Sequence, residues 1–264
     1  MSAPMLAAQA LGFGYRGAPI GRDLDLEVRA GEIVCLLGPN GSGKTTLFKT
    51  MLGLLPAQGG RVLLRGSAID AMPRQEIARG VAYVPQAHMA NFAFRVADMV
   101  VMGRTAHLGL FASPTREDRR KALGALESLG IDELAGAEYT RISGGQRQLA
   151  LVARALAQDA PAIVMDEPTA SLDFGNQVTV LSVIKRLAGR GLAVLLSTHD
   201  PDHAFSVGTR VALLSSGRIV VQGTPDEVLT PDRLHQVYGV RVIVERLSHG
   251  QPVCAPDFSA AGGA

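Results

Sequence analysis

The chain has 264 residues, 47% of them hydrophobic, which is enough to bury a substantial core as one domain. Its 26 basic residues nearly balance its 24 acidic residues, and no long run of lysine and arginine occurs. The charge therefore gives no electrostatic reason to expect a nucleic acid partner.

The two cysteines, Cys35 and Cys254, lie far apart in the sequence and predict no disulfide framework. Cys35 lies within an apolar run and is expected to be a small buried hydrophobe. Residues 1–10 lack the basic leader of a secretory signal, and no stretch approaches about 18 uninterrupted apolar residues, so no transmembrane helix is predicted. We therefore expect a soluble cytoplasmic protein, held at a membrane only through a partner.

The first third of the chain is predicted to be mainly β-structure. Apolar residues alternate with acidic ones over residues 24–28, which is the period of a half-buried strand. Residues 33–37 form a continuous apolar run, typical of a strand covered on both faces. Residues 63–64 and 81–84 are further short strand candidates. A helix is expected to begin near Lys44.

Between residues 94 and 158 the pattern becomes helical. Ser113 followed by Pro114 predicts a helix start, with an N-cap and a proline at the first helical position. Apolar residues then recur at helical spacing over residues 122–129. A second helix is expected to begin at Gly144.

The last part of the chain alternates between strand and helix patterns. Strand candidates cover residues 162–165, 193–197 and 211–214, with a helical stretch over 177–188. This alternation predicts an α/β fold whose sheet is mostly parallel. Thr224 opens a capping box with proline at the first helical position.

Domain boundaries follow from this pattern. The residues from Ser248 onward are rich in glycine and proline and are expected to be loosely ordered. We predict one domain over residues 1–247, with a helical segment at about 94–158 inserted into it, and a C-terminal tail over 248–264.

A glycine-rich loop between an apolar strand and a helical stretch is the strongest local signal. Residues 38–45 fit the pattern G-x-x-x-x-G-K-[ST], in which backbone N–H groups and a helix N-terminus surround phosphate oxygens. The lysine would reach the β and γ phosphates and the threonine hydroxyl would coordinate Mg²⁺. This context disfavours the alternative of a turn that only caps a helix. The predicted nucleotide-binding residues here are Gly38, Pro39, Asn40, Gly41, Ser42, Gly43, Lys44, Thr45 and Thr46.

Two carboxylates follow the apolar strand candidate at residues 162–165. Open α/β sheets bind ligands at the carboxyl ends of their strands. Asp166 would hold Mg²⁺ through its water shell, and Glu167 would stand next to the attacking water. The alternative is an acidic turn aided by Pro168, which the phosphate loop upstream disfavours.

Together these residues resemble the ABC ATPase family, and a third segment narrows the match. Ile142-Ser143-Gly144-Gly145-Gln146 is similar to the family's signature, with isoleucine in place of the usual leucine. Its spacing before Asp166 is normal for the family. Ser143 and Gln146 also form a capping box, and a helix N-terminus with two glycines is a good anion site.

Further residues match family positions in the right order, and the resemblance covers about residues 5–245. Gln86 matches the glutamine that senses Mg²⁺ and the attacking water, and Asp173 matches the loop that crosses the dimer interface. His199 matches the switch histidine that contacts the γ-phosphate. Tyr15 matches the aromatic residue that stacks on adenine, the alternative being an ordinary surface aromatic.

The segment from His199 to His203 also resembles a metal-binding cluster, because two histidines stand four residues apart. Pro201 between them favours a helix start, so a shared helix face is not expected. We therefore expect His199 to contact phosphate and no structural metal at this segment.

The resemblance implies a P-loop NTPase (RecA-like) fold, with a mostly parallel core sheet, an N-terminal antiparallel β subdomain and an inserted α-helical subdomain. It implies ATP and Mg²⁺ as ligands and a head-to-tail homodimer in which Ser143–Gly145 of one protomer close over the ATP of the other. It also implies two transmembrane permease subunits and, indirectly, a substrate-binding protein. Lys44, Gln86, Glu167 and His199 would be the catalytic residues.

Segments outside the common motifs resemble ATPases of one group of importers. Residues 96–104, 173–177, 199–201 and 238–240 are similar to those serving iron chelates, haem and cobalamin, and also to relatives serving molybdate. The alternatives are a soluble ABC protein acting on DNA or ribosomes, or a nucleotide-binding adaptor without turnover. Residues 87–107 are expected to receive a short helix of the membrane subunit, with exposed side chains such as Arg104.

Overall fold

The computed structural model describes residues 3–86, 93–109, 111–170 and 172–259. The strands are β1 (Leu6–Tyr15), β2 (Ala18–Val28), β3 (Ile33–Leu37), β4 (Gly59–Leu64), β5 (Ser67–Ala68), β6 (Val81–Val84), β7 (Ala162–Asp166), β8 (Ala193–Thr198), β9 (Arg210–Ser215), β10 (Arg218–Gly223), β11 (Val242–Arg246) and β12 (Pro252–Pro256). The α-helices are α1 (Lys44–Met51), α2 (Arg74–Gly80), α3 (Val96–Val101), α4 (Arg116–Ser128), α5 (Gly144–Ala157), α6 (Phe174–Ala188), α7 (Pro201–Val207), α8 (Pro225–Val228) and α9 (Pro231–Tyr238).

The central sheet has the strand order β10-β9-β3-β8-β7-β6. All neighbouring pairs in it are parallel except β9 with β10. Every residue of β3, β7 and β8 is buried, as expected for strands that have both faces covered. The predicted mostly parallel α/β sheet is confirmed, and its register sets Asp166 beside Ser197 at the carboxyl edge.

A second sheet, with the order β2-β1-β4-β5, is antiparallel. Its buried side chains, including Phe13 and Leu24, share one apolar core with Leu47 and Phe48 of α1 and with one face of the central sheet. This packing fixes α1 against the sheet and therefore positions the loop before Lys44. The predicted N-terminal antiparallel subdomain is confirmed.

Helices α3, α4 and α5 lie in sequence between β6 and β7 and pack on one another through buried residues such as Val100, Leu126 and Val152. A 3₁₀ segment, Met102–His107, follows α3 directly. The inserted α-helical subdomain is thus present. No helix among the described residues has the length and apolar character needed to span a membrane.

The predicted start of α4 at Ser113 and Pro114 is wrong, because the helix begins at Arg116. Thr115 is the N-cap: its hydroxyl accepts from the Asp118 N–H, and the Asp118 carboxylate accepts from the Thr115 N–H at 3.0 Å. A complete capping box satisfies two backbone N–H groups reciprocally, and it is favoured over a serine with proline alone.

The expectation that Arg104 is exposed is also wrong, since only 5% of this residue is accessible. Its Nε donates to Asp118 Oδ1 at 3.0 Å, and its Nη1 donates to the Ala157 carbonyl at 2.9 Å. Hydrogen bonds from Thr115 and from Arg104 hold the pKa of Asp118 well below its usual range. Arg104 therefore joins the 3₁₀ segment to the start of α4 and the end of α5, and its replacement would disturb packing rather than probe a surface.

The tail is more ordered than expected. Strand β12 pairs with β11 in an antiparallel hairpin over Val242–Pro256, and the Cys254 N–H donates to Asp202 Oδ1 at 2.7 Å. The expectation of a loosely ordered tail is therefore wrong for residues 252–256. The division into a domain over 1–247 and a tail over 248–264 stays a prediction.

Candidate functional site

The phosphate loop connects β3 to α1 at the carboxyl edge of the central sheet. Gly41 and Gly43 have φ angles of 80° and 102°, which lie in the left-handed region that favours glycine. A Cβ on Gly43 would also lie 2.6 Å from the Ile20 side chain. Glycine at residue 43 is therefore required both by the backbone conformation and by the space beside it.

Lys44 is the first residue of α1 and is buried. Its ammonium donates to the carbonyls of Gly38 at 2.7 Å and Pro39 at 3.1 Å, so it lies inside the turn of the loop. Burial lowers the pKa of Lys44, although Glu167 and Asp166 oppose this shift. The buried Ser42 hydroxyl has no hydrogen-bond partner in the described part of the chain. The loop thus offers a buried cation to an anion.

The carboxylate of Asp166 is fixed at the end of β7. Thr45 Oγ1 donates to Asp166 Oδ2 at 2.6 Å, and Ser197 Oγ donates to Asp166 Oδ1 at 2.7 Å. Ser197 was not among the predicted site residues. A polar residue ending an apolar strand next to β7 is the signal that points to it, but the strand order had to be known first.

Glu167 brings the remaining predicted catalytic side chains together. Its backbone has φ 49°, an uncommon value for a residue with a side chain, and its N–H donates to Ser197 Oγ at 3.0 Å. Gln86 Nε2 donates to Glu167 Oε2 at 3.4 Å, and His199 Nδ1 lies 3.5 Å from the same oxygen. The side chain of Glu167 is 14% exposed, so its carboxylate faces a confined space.

One cavity of about 490 Å³ is bordered by Lys44, Thr45, Gln86, Glu167 and His199, whereas Asp166 lies outside its lining. Its lining also includes Ile20, which sequence patterns had not suggested, because β2 had to be placed next to α1 first. A cavity of about 660 Å³ elsewhere in the molecule is larger but shares none of these residues. The residues lining the smaller cavity are Ile20, Asn40, Gly41, Gly43, Lys44, Thr45, Thr46, Gln86, Glu167 and His199.

Tyr15, Asp173 and the segment 143–146 lie outside the described lining of this cavity. Tyr15 ends β1 and is 48% exposed. Ser143 is the N-cap of α5 in a complete capping box with Gln146, and Asp173 is the N-cap of α6. Ser143, Gly144 and Asp173 are all exposed. The fold therefore places these predicted ATP contacts on the surface, apart from the phosphate loop of their own chain.

The predicted helix start at Pro201 is confirmed. Helix α7 begins at this residue, with the Asp200 side chain accepting from the Asp202 N–H at 2.8 Å. The described residues include no group of three His, Cys, Asp or Glu side chains placed to hold a metal ion.

Comparisons with known proteins agree with this geometry. Residues 22–170 match the model of the ABC transporter family. An ABC transporter ATP-binding protein of Haemophilus influenzae is 43% identical, with 89% of each chain covered. The iron(3+)-hydroxamate import ATP-binding protein of Bacillus subtilis is 38% identical over 94% of this chain and 93% of that protein.

Solved structures extend the likeness to the whole fold. A metal-chelate type ABC transporter in an inward-facing conformation superposes with a TM-score of 0.85 at 30% identity, covering 98% of this chain and 100% of that chain. The phosphate loop, the two carboxylates and the signature segment all fall within the matched family region. The chain therefore belongs to the ABC transporter family, as one of its ATP-binding, ATP-hydrolysing subunits.

Proposed function

We propose that the chain is the ATPase of an importer, dimerises on binding ATP and powers the uptake of a metal chelate of the iron-siderophore, haem or cobalamin type. One observation carries the ATPase part: Lys44, Gln86, Glu167 and His199 line a single cavity at the carboxyl edge of the sheet. This arrangement places a cation, a carboxylate and two polar side chains around a space large enough for a polyphosphate.

The chemistry follows from the charges. Lys44 as a cation and His199 as a hydrogen-bond donor would stabilise negative charge that develops on the γ-phosphoryl group, as positioned groups do in other phosphoryl transfers. Glu167 would polarise the attacking water. Gln86 donates to the Glu167 carboxylate and would hold that carboxylate in place. A general base of this kind contributes about 10²- to 10⁴-fold to the rate.

Mg²⁺ fits the donor set next to the loop. Thr45 offers a hydroxyl oxygen, Asp166 a carboxylate and Gln86 an amide oxygen, and hard oxygen ligands are those that Mg²⁺ prefers. The 2.6 Å contact between Thr45 and Asp166 supports their acting at one point. When bound there, Mg²⁺ would neutralise charge on the β and γ phosphates.

A homodimer would complete the site. Ser143, Gly144 and Asp173 are exposed, Gly145 is half-buried, and all four lie outside the cavity of their own chain, so another protomer's cavity is the place where they would contact ATP. The N–H groups of Gly144 and Gly145, which the capping box does not use, are suited to the γ-phosphate. Tyr15, exposed at the end of β1, would stack on the adenine.

The cargo is proposed from relatives. They include an iron(3+)-hydroxamate import protein, and also hemin and cobalamin import proteins that are 38% identical to this chain. The chain would act with two transmembrane permease subunits, and indirectly with a substrate-binding protein, at the cytoplasmic face of the inner membrane. Molybdate or another metal ion is the alternative cargo, and a soluble ABC ATPase without transport is the alternative function.

Uptake into vesicles tests the proposal. The chain would be purified with its membrane subunits, reconstituted into proteoliposomes with ATP inside, and offered a labelled iron(3+)-hydroxamate, haem, cobalamin or molybdate in turn. ATP-dependent uptake of one of the first three supports the chelate importer. Uptake of molybdate alone supports the alternative cargo, and the absence of any co-purifying membrane protein contradicts the importer.

The proposed docking surface for the permease is the predicted segment 87–107, of which residues 87–92 fall outside the described residues and the last part is the 3₁₀ segment Met102–His107. A groove of about 610 Å³ borders this segment, between α2 and the end of α5. Met102 is 42% exposed there. We expect Met102→Glu to spare ATP hydrolysis by the isolated subunit and to reduce transport in proteoliposomes severalfold, because a charge would meet the apolar face of a docking helix.

Leu123→Glu is the matched control for this test. Leu123 is also 42% exposed but lies on α4, away from the groove. Both variants add one carboxylate to a half-exposed apolar position, so general effects on folding should be similar. Equal transport by the two variants would place the docking surface elsewhere.

A further inference from the structure

His203, in the first turn of α7, is a largely buried histidine that the proposed reaction does not use. Its side chain is 13% exposed, whereas that of His199 is 61% exposed. Its Nδ1 lies 3.3 Å from Thr169 Oγ1 and 3.4 Å from Thr198 Oγ1. Its Nε2 lies 3.4 Å from Asp200 Oδ2. Both ring nitrogens therefore have polar partners.

These partners assign the tautomer of the ring. The Asp200 carboxylate can only accept, so Nε2 carries the proton and Nδ1 is left with one lone pair as the acceptor. The hydroxyl of Thr169 can donate to it, whereas the hydroxyl of Thr198 donates to the Asp200 carbonyl at 3.5 Å. Burial lowers the pKa of His203, which favours the neutral ring, although Asp200 opposes this shift. A neutral imidazole in this tautomer donates to Asp200, accepts from Thr169 and stays in contact with Thr198.

The two threonines belong to the two loops that carry the proposed catalytic residues. Thr169 follows Glu167 by two residues and is 5% exposed. Thr198 ends β8 and directly precedes His199. The imidazole of His203 therefore contacts both the loop of Glu167 and the loop of His199, and it is not part of the cavity lining.

The first turn of α7 is itself fixed on its other side. Asp200 caps the helix through the Asp202 N–H, and Asp202 Oδ1 accepts the Cys254 N–H of β12 at 2.7 Å. Helix α7 packs against β12. The C-terminal hairpin thus holds α7 in place, so that a shift of His203 relative to either loop is resisted.

We infer that His203 is a positioning residue that sets His199 against Glu167. The inference rests on the proposed roles of these two residues in hydrolysis. The side chains of His199 and Glu167 lie 3.5 Å apart. The contacts of His203 with Thr169 and Thr198 link the two loops through a side chain, in addition to the link that Ser197 makes. Phosphoryl transfer depends on positioning, and a misplacement of about 1 Å costs up to about 10²-fold in rate.

The test measures Mg²⁺-dependent ATP hydrolysis by the full chain in its transporter. His203→Ala should lower kcat by about 10- to 100-fold and leave KM for ATP within about twofold, because the phosphate loop is untouched. His203→Asn should retain most of the native kcat, since the asparagine amide oxygen can replace Nδ1 as the acceptor facing the threonines. His203→Gln should retain a smaller part of kcat than His203→Asn, because the glutamine amide takes the place of Nε2 rather than Nδ1.

His235→Ala is the matched control, since His235 is exposed on α9 and should keep normal kcat. Normal kcat in His203→Ala, beside inactive Glu167→Gln and His199→Ala, would overturn the positioning role and leave the proposed function standing. Normal kcat in Glu167→Gln and His199→Ala would instead contradict the proposed function. If His203→Ala and His203→Asn lose kcat equally, in step with a lower melting temperature, the role is structural only and the inference fails.

Discussion

Replacing Glu167 by glutamine should leave ATP binding intact and lower ATP turnover about 100-fold or more. The amide has the size of the carboxylate and can still lie between Gln86 and His199, both of which contact Glu167 Oε2 in the structure. It cannot take a proton from water, because an amide oxygen is far less basic than a carboxylate. Phosphate release, measured with the permease complex present, reports the loss directly.

The same variant should accumulate as a closed dimer with ATP bound, since hydrolysis is the step that would open it. Glu127→Gln is the matched control: Glu127 is exposed on α4, outside the cavity, and its replacement should leave turnover unchanged. Near-normal hydrolysis by Glu167→Gln would remove Glu167 as the base and leave the water to another group.

The parts of the site that follow from local sequence are those at strand ends. The runs that form β3 and β7 are apolar up to their last residues, so the polar residues that follow are expected to leave the sheet at its carboxyl edge. The amino-acid sequence alone is enough to place Lys44 and Asp166 there. Thr45, the residue after Lys44, contacts Asp166 because parallel strands bring these strand ends to one edge of the sheet.

Contacts between distant segments decided the features that the sequence did not predict. As a charged residue, Arg104 is expected at the surface. It is buried because its guanidinium donates hydrogen bonds to Asp118 and to the carbonyl of Ala157, 53 residues away. The ordered tail depends in the same way on Asp202, 52 residues before Cys254. The start of α4 is different, because Ser113 and Thr115 are both good N-caps and the choice between them depends on the local capping box of Thr115 with Asp118, three residues on.

The predicted contact between the signature segment and ATP involves two protomers. Ser143 and Gly144 match the signature in sequence, and the structure sets them at the exposed start of α5. Sequence spacing gives no distance between a phosphate loop and a signature in two different protomers. The pairing of these two surfaces is therefore tested in the dimer that the Glu167→Gln variant is expected to accumulate.

Replacing Lys44 by alanine should weaken ATP binding roughly 10- to 100-fold, since a charged hydrogen bond to the phosphates would be lost, and it should abolish hydrolysis. The ammonium is buried inside the loop against the carbonyls of Gly38 and Pro39, so another cation could take its place only if the backbone moved. Binding would be measured with a fluorescent ATP analogue, and hydrolysis by phosphate release. Lys49→Ala, on the same helix but outside the cavity lining, should leave both unchanged.

Dimerisation separates this variant from Glu167→Gln. A chain that binds ATP poorly has little nucleotide to hold two protomers together, so Lys44→Ala should stay monomeric in ATP, whereas Glu167→Gln should form the dimer. Size exclusion of both variants at one protein concentration, with and without Mg²⁺ and ATP, makes the comparison. Equal ATP-dependent dimer populations would contradict the division of roles, because the cation that binds the phosphates and the base that activates water would then affect closure alike.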